Sequence, residues 1–295
     1  MNNYKPSLLV ANVFDPISRD ESAIISLYES IADLGFYASL ETRVIHDPAI
    51  NRAFSELSLK QGWSITYWLT SNLNAEKLSL GDSNPAKRQA AVDFTKSLIA
   101  QASQGNAKYI GLCSGKHVHA IEDEYQAFKH SLQELLRFCA SSPVELLIEP
   151  LDAYADKRFI LGNETRVTQL YQDLQADNPH QLPLLCIDTA HIALNHDPII
   201  PYMQHLGKYA NRIHFANAVL DPDDPYFGDK HLPFNTTGFL DDTEIKTLFS
   251  ASQSIVFNTP EVYLTCEIRS RLEDEMWSTE GKCRQLLQRL LNENT

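Results

Sequence analysis

Long apolar runs are missing from this sequence: no stretch approaches the roughly 20 residues that a membrane-spanning helix requires, so no membrane association is expected. The opening Met-Asn-Asn-Tyr-Lys-Pro has no basic region followed by an apolar one, and a cytoplasmic location is expected on that ground. Cysteine is sparse. The five present, Cys113, Cys139, Cys186, Cys266 and Cys283, are odd in number and lack C-x-x-C spacing, which argues against a disulfide framework and a structural zinc knot and suits a reducing compartment. Positive charge is scarce too: 25 Lys and Arg face 38 Asp and Glu, a formal net charge of -13, and the densest basic groups, Lys87-Arg88 and Arg269-Ser270-Arg271, are pairs rather than runs. Such a chain repels polyanions, so no nucleic acid partner is expected. The glycine-rich phosphate turn of a dinucleotide-binding sheet is also absent, since Val13-Phe14-Asp15-Pro16-Ile17-Ser18 closes the first apolar run.

What the chain does have is alternation. Short β-rich apolar runs fall at 7–14, 36–44, 63–69, 108–113, 144–149, 184–188, 212–216 and 262–268, about eight in number. Amphipathic segments such as 20–34, 85–102, 122–139, 164–175, 242–250 and 275–291 lie between them and begin near polar or proline start signals. In the second of these, Ala91, Phe94, Thr95, Leu98 and Ala102 share one face, and in the last Cys283, Leu286, Leu287 and Leu290 do. With 295 residues, 43% of them hydrophobic, the pattern predicts an α/β fold, a single (β/α)8 TIM barrel spanning residues 1–295. No linker or strong internal repeat divides the chain. The segment 219–241, with Asp-Pro-Asp-Asp-Pro and Asn-Thr-Thr-Gly, is expected to be an irregular loop facing substrate.

Catalytic groups in such a barrel sit at the carboxyl ends of strands, and ligand-type residues stand at four consecutive ones. Glu149 ends Leu-Leu-Ile-Glu-Pro; Asp188 and His191 lie in Ile-Asp-Thr-Ala-His; His214 lies in Arg-Ile-His-Phe-Ala-Asn; Glu267 lies in Thr-Cys-Glu-Ile-Arg. Singly, each has an ordinary explanation: a carboxylate capping the next helix, or a satisfied core histidine. Together, three carboxylates and an imidazole at one barrel mouth make an oxygen-rich set suited to one divalent metal ion, Mn²⁺, Mg²⁺, Co²⁺ or Zn²⁺, with positions open to substrate oxygens.

These motifs, I-E-P, D-T-A-H, I-H-F-A-N and C-E-I-R, resemble the signature of the xylose isomerase-like barrel superfamily, which includes sugar epimerases, hydroxypyruvate isomerase, inosose dehydratase and the endonuclease IV class. The resemblance covers most of the chain and is strongest from the fifth strand onward. It implies that Glu149, Asp188, His214 and Glu267 bind a divalent cation and that Glu149 and Glu267 also transfer protons. The activity it implies is isomerisation or epimerisation of a small sugar or polyol-derived carbonyl compound through an enediolate. His191 is then expected to meet a substrate hydroxyl, and Arg269 a substrate oxygen once the strand has begun to turn. Glu41 and Trp68, at the ends of the second and third strands, are further candidates for substrate hydroxyls and a sugar-ring wall, with a salt bridge to Arg43 or a buried layer contact as the alternative for Glu41 and plain packing for Trp68. Lys116, His117 and His119 are candidates for a phosphate or carboxylate, or a solvated loop.

Within that superfamily the endonuclease IV class carries three zinc ions. Asp229-Lys230-His231 resembles its D-x-H pair, but Cys113-Ser114-Gly115 stands where that class has a histidine turn, and Trp-Leu-Thr-Ser-Asn at the third strand end offers no histidine. Asp229 and His231 therefore read as residues that bind substrate or a second metal, or as an ordinary turn residue and a solvent histidine. Asn217, where relatives often carry Asp after the strand-seven histidine, bears on how the metal's surroundings are oriented. The alternatives to an isomerase are a dehydratase-like lyase, a zinc phosphodiesterase with an incomplete centre, and a non-catalytic metabolite binder. A homodimer is compatible with the chain.

Overall fold

The computed structural model describes residues 2–292. Eight parallel strands close on themselves in the order β1 (Tyr4–Leu9), β2 (Ser39–Thr42), β3 (Ser64–Trp68), β4 (Ala107–Leu112), β5 (Glu145–Ile148), β6 (Leu184–Asp188), β7 (Ala210–Val219) and, after one further strand β8 (Gly228–Leu232), β9 (Val262–Glu267), which pairs with both β7 and β1. The intervening helices are α1 (Val10–Val13), α2 (Glu21–Asp33), α3 (Pro48–Gln61), α4 (Thr70–Ala75), α5 (Pro85–Gln104), α6 (Ile121–Cys139), α7 (Glu164–Asp177), α8 (Thr189–Leu194), α9 (Ile199–Leu206), α10 (Asp242–Ser252) and α11 (Met276–Asn292). This is the (β/α)8 barrel that the alternation predicts. No helix among the described residues is long and apolar enough to cross a membrane.

Local chemistry starts most of the helices. Asp47 and Asn84 accept hydrogen bonds from the first-turn amides of α3 and α5, and a proline occupies the first helical position of each, where its missing N–H costs nothing. Asp20, Asn163 and Asp241 cap α2, α7 and α10 in the same way. The buried faces of these helices, for instance Val167, Leu170, Tyr171 and Leu174 of α7, pack over the outward-facing strand residues as one continuous core.

Two expectations are corrected. The run 7–14 is strand only to Leu9, and Val10 to Val13 wind into α1 with all four side chains buried; an unbroken apolar run does not by itself separate strand from helix. The segment 219–241 is not wholly irregular. β7 runs on past the barrel rim to Val219, and its free edge pairs antiparallel with β8, Asn217 opposite Leu232 and Val219 opposite Gly228. The sequence of β8, Gly-Asp-Lys-His-Leu, is too polar to announce a strand.

The barrel interior is polar at its centre, unlike the branched apolar layers usual in this architecture. Glu41 and Arg212, both fully buried, meet at 2.6 Å. Ser7 and Thr265 hydroxyls donate to the same Glu41 oxygen at 3.0 and 2.6 Å, Arg212 donates to Thr66 at 2.8 Å, and its guanidinium lies over the Tyr263 ring at 5.1 Å. Burial alone would raise the Glu41 carboxyl, but Arg212 and His214 outweigh it and hold the group ionised, well below the usual range. Breaking a buried pair by removing one partner costs about 3–5 kcal/mol, because the other charge is left stranded. Glu41→Gln and Arg212→Met are each expected to lower unfolding free energy by that order in urea titrations of the metal-free protein. The double variant should lose less than the sum; strict additivity would show that the two charges do not act as a unit.

Candidate metal centre

The four strand-end residues singled out in the sequence converge. One donor atom from each of Glu149, Asp188, His214 and Glu267 lies within 4.8 Å of all the others, at the carboxyl end of the barrel and beneath a cavity of about 570 Å³. Nδ1 of His214 stands 3.1 Å from Glu149 Oε1, 2.9 Å from Glu267 Oε2 and 3.9 Å from Asp188 Oδ2.

Strand register and turn chemistry place them. Asp188, His214 and Thr265 are neighbours across β6, β7 and β9, and Ala216 pairs with Glu267 two residues higher. Glu149 continues the ladder one residue past β5, its amide donating to Leu112 at 3.0 Å, and the following proline restricts it to extended backbone. In D-T-A-H each polar residue has its own task. Asp188 Oδ1 caps α8 by accepting the His191 amide at 3.0 Å; Thr189 exchanges hydrogen bonds with Ala216 on β7 at 2.9 Å; His191, one turn on, reaches Asp152 at 3.2 Å. Asp188 is therefore a cap with one oxygen while its other oxygen, Oδ2, is buried without a hydrogen bond and faces the ring.

That orphan oxygen tests whether a cation fits. Glu41 Oε2 lies 3.0 Å from His214 Nε2; an ionised carboxylate only accepts, so Nε2 carries the proton and Nδ1 turns a lone pair to three carboxylates. Acceptors facing acceptors in a buried site are costly unless a positive charge sits among them. The protein alone meets the imbalance with protons. Burial pushes the Asp188 carboxyl well up, the Glu267 and Glu149 charges adding to it against His191; His214 is driven up against its burial by Cys186 and Glu41. Burial opposes ionisation of Glu267 also, but His231 and His214 outweigh it and hold that carboxyl low. Three carboxylates and one imidazole lone pair suit a divalent cation and leave coordination positions open.

Around the ring the remaining candidates separate. Arg269, Asp229, His231, His191 and Trp68 line the cavity. His231, held at φ 54° in the left-handed region, brings Nε2 to 2.9 Å from Glu267 Oε1 and 3.4 Å from Asp229 Oδ2. His191 Nε2 is 3.7 Å from the same Asp229 oxygen, and His191 is pushed up to about 10, Asp188 and Asp152 outweighing its burial. Trp68 stands over the site because Gly111 leaves room: a methyl group there would lie 2.1 Å from the indole. Glu41 is the exception. Both its oxygens are used below His214, one also accepting the Trp68 Nε1–H at 2.8 Å, so it belongs to the floor under the ring rather than to the substrate-facing set. Asn217 does not orient the ring either; it ties residues 233–240 to β7 through Pro233, Thr237 and Leu240. His117 is engaged by Glu124 at 2.5 Å at the start of α6, while Lys116 lines the cavity.

Three residues at the site escape sequence reasoning. Asn12, hidden in an apolar run, donates to Glu267 at 2.9 Å and accepts from Arg269 at 3.2 Å. Asp152, fully buried, orients His191 and accepts the Asp156 and Lys157 amides. Lys157 places Nζ 3.2 Å from Asp229 Oδ2, so an ammonium supplies positive charge beside the His191, Asp229 and His231 group. The only available signal was a polar residue just beyond a strand end, which is common in loops.

A family model described as the xylose isomerase-like TIM barrel matches residues 29–290. No curated protein sequence matches. Among solved structures, a D-tagatose 3-epimerase-like protein superposes with a TM-score of 0.70 at 12% identity, over 99% of this chain and 100% of that one. A 3-keto-D-glucoside 4-epimerase from E. coli gives 0.65 at 13%, covering 99% and 100%. The IolI protein, crystallised with a zinc atom, gives 0.69 at 13%, covering 98% and 97%. At these identities the likeness concerns the fold.

The purified protein is expected to carry roughly one equivalent of divalent metal, and Glu149→Gln and Glu267→Gln to lose most of it, by elemental analysis after tag removal. Two or three equivalents of zinc would instead point to a multinuclear centre, and none, with folding intact, would remove the metal.

Proposed function

The chain belongs to the xylose isomerase-like TIM barrel family, and from that premise we propose that it is a divalent-metal-dependent isomerase or epimerase of a small polyhydroxy carbonyl compound. The observation that carries this reading is the ring of Glu149, Asp188, His214 and Glu267 directly under a cavity large enough for a sugar. That the solved structures sharing this fold include sugar epimerases supports it.

Glu149, Asp188, His214 and Glu267 would hold the cation, which when bound polarises a carbonyl oxygen and makes the adjoining carbon more acidic. Proton transfer falls to the protein. Glu267 accepts from Asn12 and His231 through one oxygen, which spreads its charge and weakens it as a base. Glu149 meets His214 and a long Cys186 thiol contact of 3.5 Å through one oxygen, and the other is free to take a proton from substrate carbon. We therefore assign proton removal to Glu149 and proton return to Glu267, which relays to the opposite face of the substrate a proton taken from His231, 2.9 Å away. His191, fixed by Asp152, binds a substrate hydroxyl, and Trp68 supplies an apolar wall against the carbon skeleton. One small-molecule substrate in a cytoplasmic setting completes the reading.

A lyase would begin with the same proton removal and differ only in losing water, so product analysis separates the two. The His191, Asp229 and His231 group favours a second cation and a phosphodiesterase, but the Lys157 ammonium against Asp229 works against that occupant. General-base catalysis contributes about 10²- to 10⁴-fold. With Mn²⁺, Co²⁺ or Mg²⁺ present, deuterium from solvent is expected to enter the carbon next to the carbonyl of a ketose. Glu149→Gln should slow that exchange by at least about 10²-fold. Wild-type protein that binds metal yet exchanges no proton in any ketose or polyol-derived ketone would reduce the site to a binding one.

A further inference from the structure

In a chain with a net charge of -13, six of the 25 Lys and Arg line this single cavity: Arg43, Lys116, Lys157, Lys230, Arg269 and Arg271. Three are neutralised. Arg43 pairs with Asp15 at 2.8 Å, Lys157 with Asp229 Oδ2 at 3.2 Å and Lys230 with Asp156 Oδ2 at 3.0 Å. Among the described residues no carboxylate pairs with the other three. Arg269 and Arg271 follow Glu267 on the same rim. Among the described residues the Arg269 guanidinium donates only to Asn12 at 3.2 Å, and its Nε is buried with no partner; that of Arg271 reaches only the Lys230 carbonyl, at 3.4 Å.

A buried, unpaired guanidinium N–H is costly, and a neutral sugar hydroxyl satisfies it poorly compared with an oxyanion that takes two parallel hydrogen bonds. Four carboxylates line the same cavity; two of them, Glu149 and Glu267, would share the cation proposed above with Asp188, which leaves that centre one net negative charge against the three unpaired cations of the rim. The rim above the metal is then net positive, and long-range repulsion of an anion by the rest of the chain is offset where it binds. We infer that the substrate of this site carries an oxyanion, a phosphate monoester or a carboxylate, which Arg269 and Arg271 bind while the carbonyl end lies over Glu149 and Glu267, with Lys116 adding charge. This rests on the reading of the site as one for polyhydroxy carbonyl compounds and narrows its substrate class.

The test compares matched ligands on the metal-loaded full chain: D-ribulose with D-ribulose 5-phosphate, and D-fructose with 5-keto-D-gluconate, by equilibrium binding. The anionic member of one pair is expected to bind at least about tenfold tighter, less so as salt is raised. Preference confined to the first pair identifies a phosphate ester, and to the second a sugar acid. The ratio is expected to collapse in Arg271→Ala and to recover in part in Arg271→Lys, whereas a folding defect would weaken both members of a pair together. Equal affinity within both pairs, no binding of either anion, or a ratio unmoved in Arg271→Ala overturns the inference. Neutral ketoses exchanging protons as readily as anionic ones would do so while leaving the isomerase reading intact; anion preference without any proton exchange would uphold the subsite and overturn the reaction.

Discussion

The constraint on which the site depends is a surplus of buried negative charge around one imidazole. Glu149, Asp188 and Glu267 crowd Nδ1 of His214, and Glu41 takes up Nε2 from below. Neighbouring features answer that surplus. Arg212, in the middle of the barrel, neutralises Glu41; Asn12 and His231 donate to Glu267; Lys157 faces Asp229. What they leave unmet is one oxygen of Asp188 and one lone pair of His214, the two groups a divalent cation would satisfy. The usual packed apolar interior of such barrels is given up here to hold a carboxylate that fixes the orientation of His214.

The closed sheet makes this feasible. Parallel pairing sets Asp188 beside His214, and Ala216 beside Glu267, so the ring is built on strand ends that have little freedom to drift. Many of the other groups that line the cavity come instead from the loops: α1, the stretch after β5, and the β7–β8 hairpin. β8 carries Asp229 and His231 inward, and the left-handed backbone of His231 is a local strain placed where the side chain must reach Glu267. A rigid ring under adaptable loops is the division of labour by which one barrel serves many substrates.

Much of this was legible in the sequence, for a local reason. Glu149, Asp188, His214 and Glu267 each end an apolar run, and period-two strands with capped helices are written in neighbouring residues. Asn12 was not legible, because an amide within Val-Ala-Asn-Val gives no sign that the run turns from strand to helix beneath it. Glu41 at the end of β2 read equally as a substrate-binding residue, a partner of Arg43 or a buried layer contact; only its depth, set by the stagger of β2 against β1 and β3, makes it part of the floor and a partner of Arg212. The polar strand β8 lay hidden because its pairing comes from an overhanging β7 and not from its own composition.

By itself the sequence determined the alternating architecture, the kinds of ligand at the later strand ends and the family likeness, since these depend on periodicity and residue type over a few positions. The tertiary structure alone decided which acids share a cavity, which imidazole nitrogen bears the proton, that an ammonium stands beside Asp229, and that three cations without a carboxylate partner face one cavity of an acidic chain. Those are matters of distance between residues as far apart in sequence as Asn12 and Glu267. Closure of the barrel brings them within hydrogen-bonding reach, and no local pattern records it.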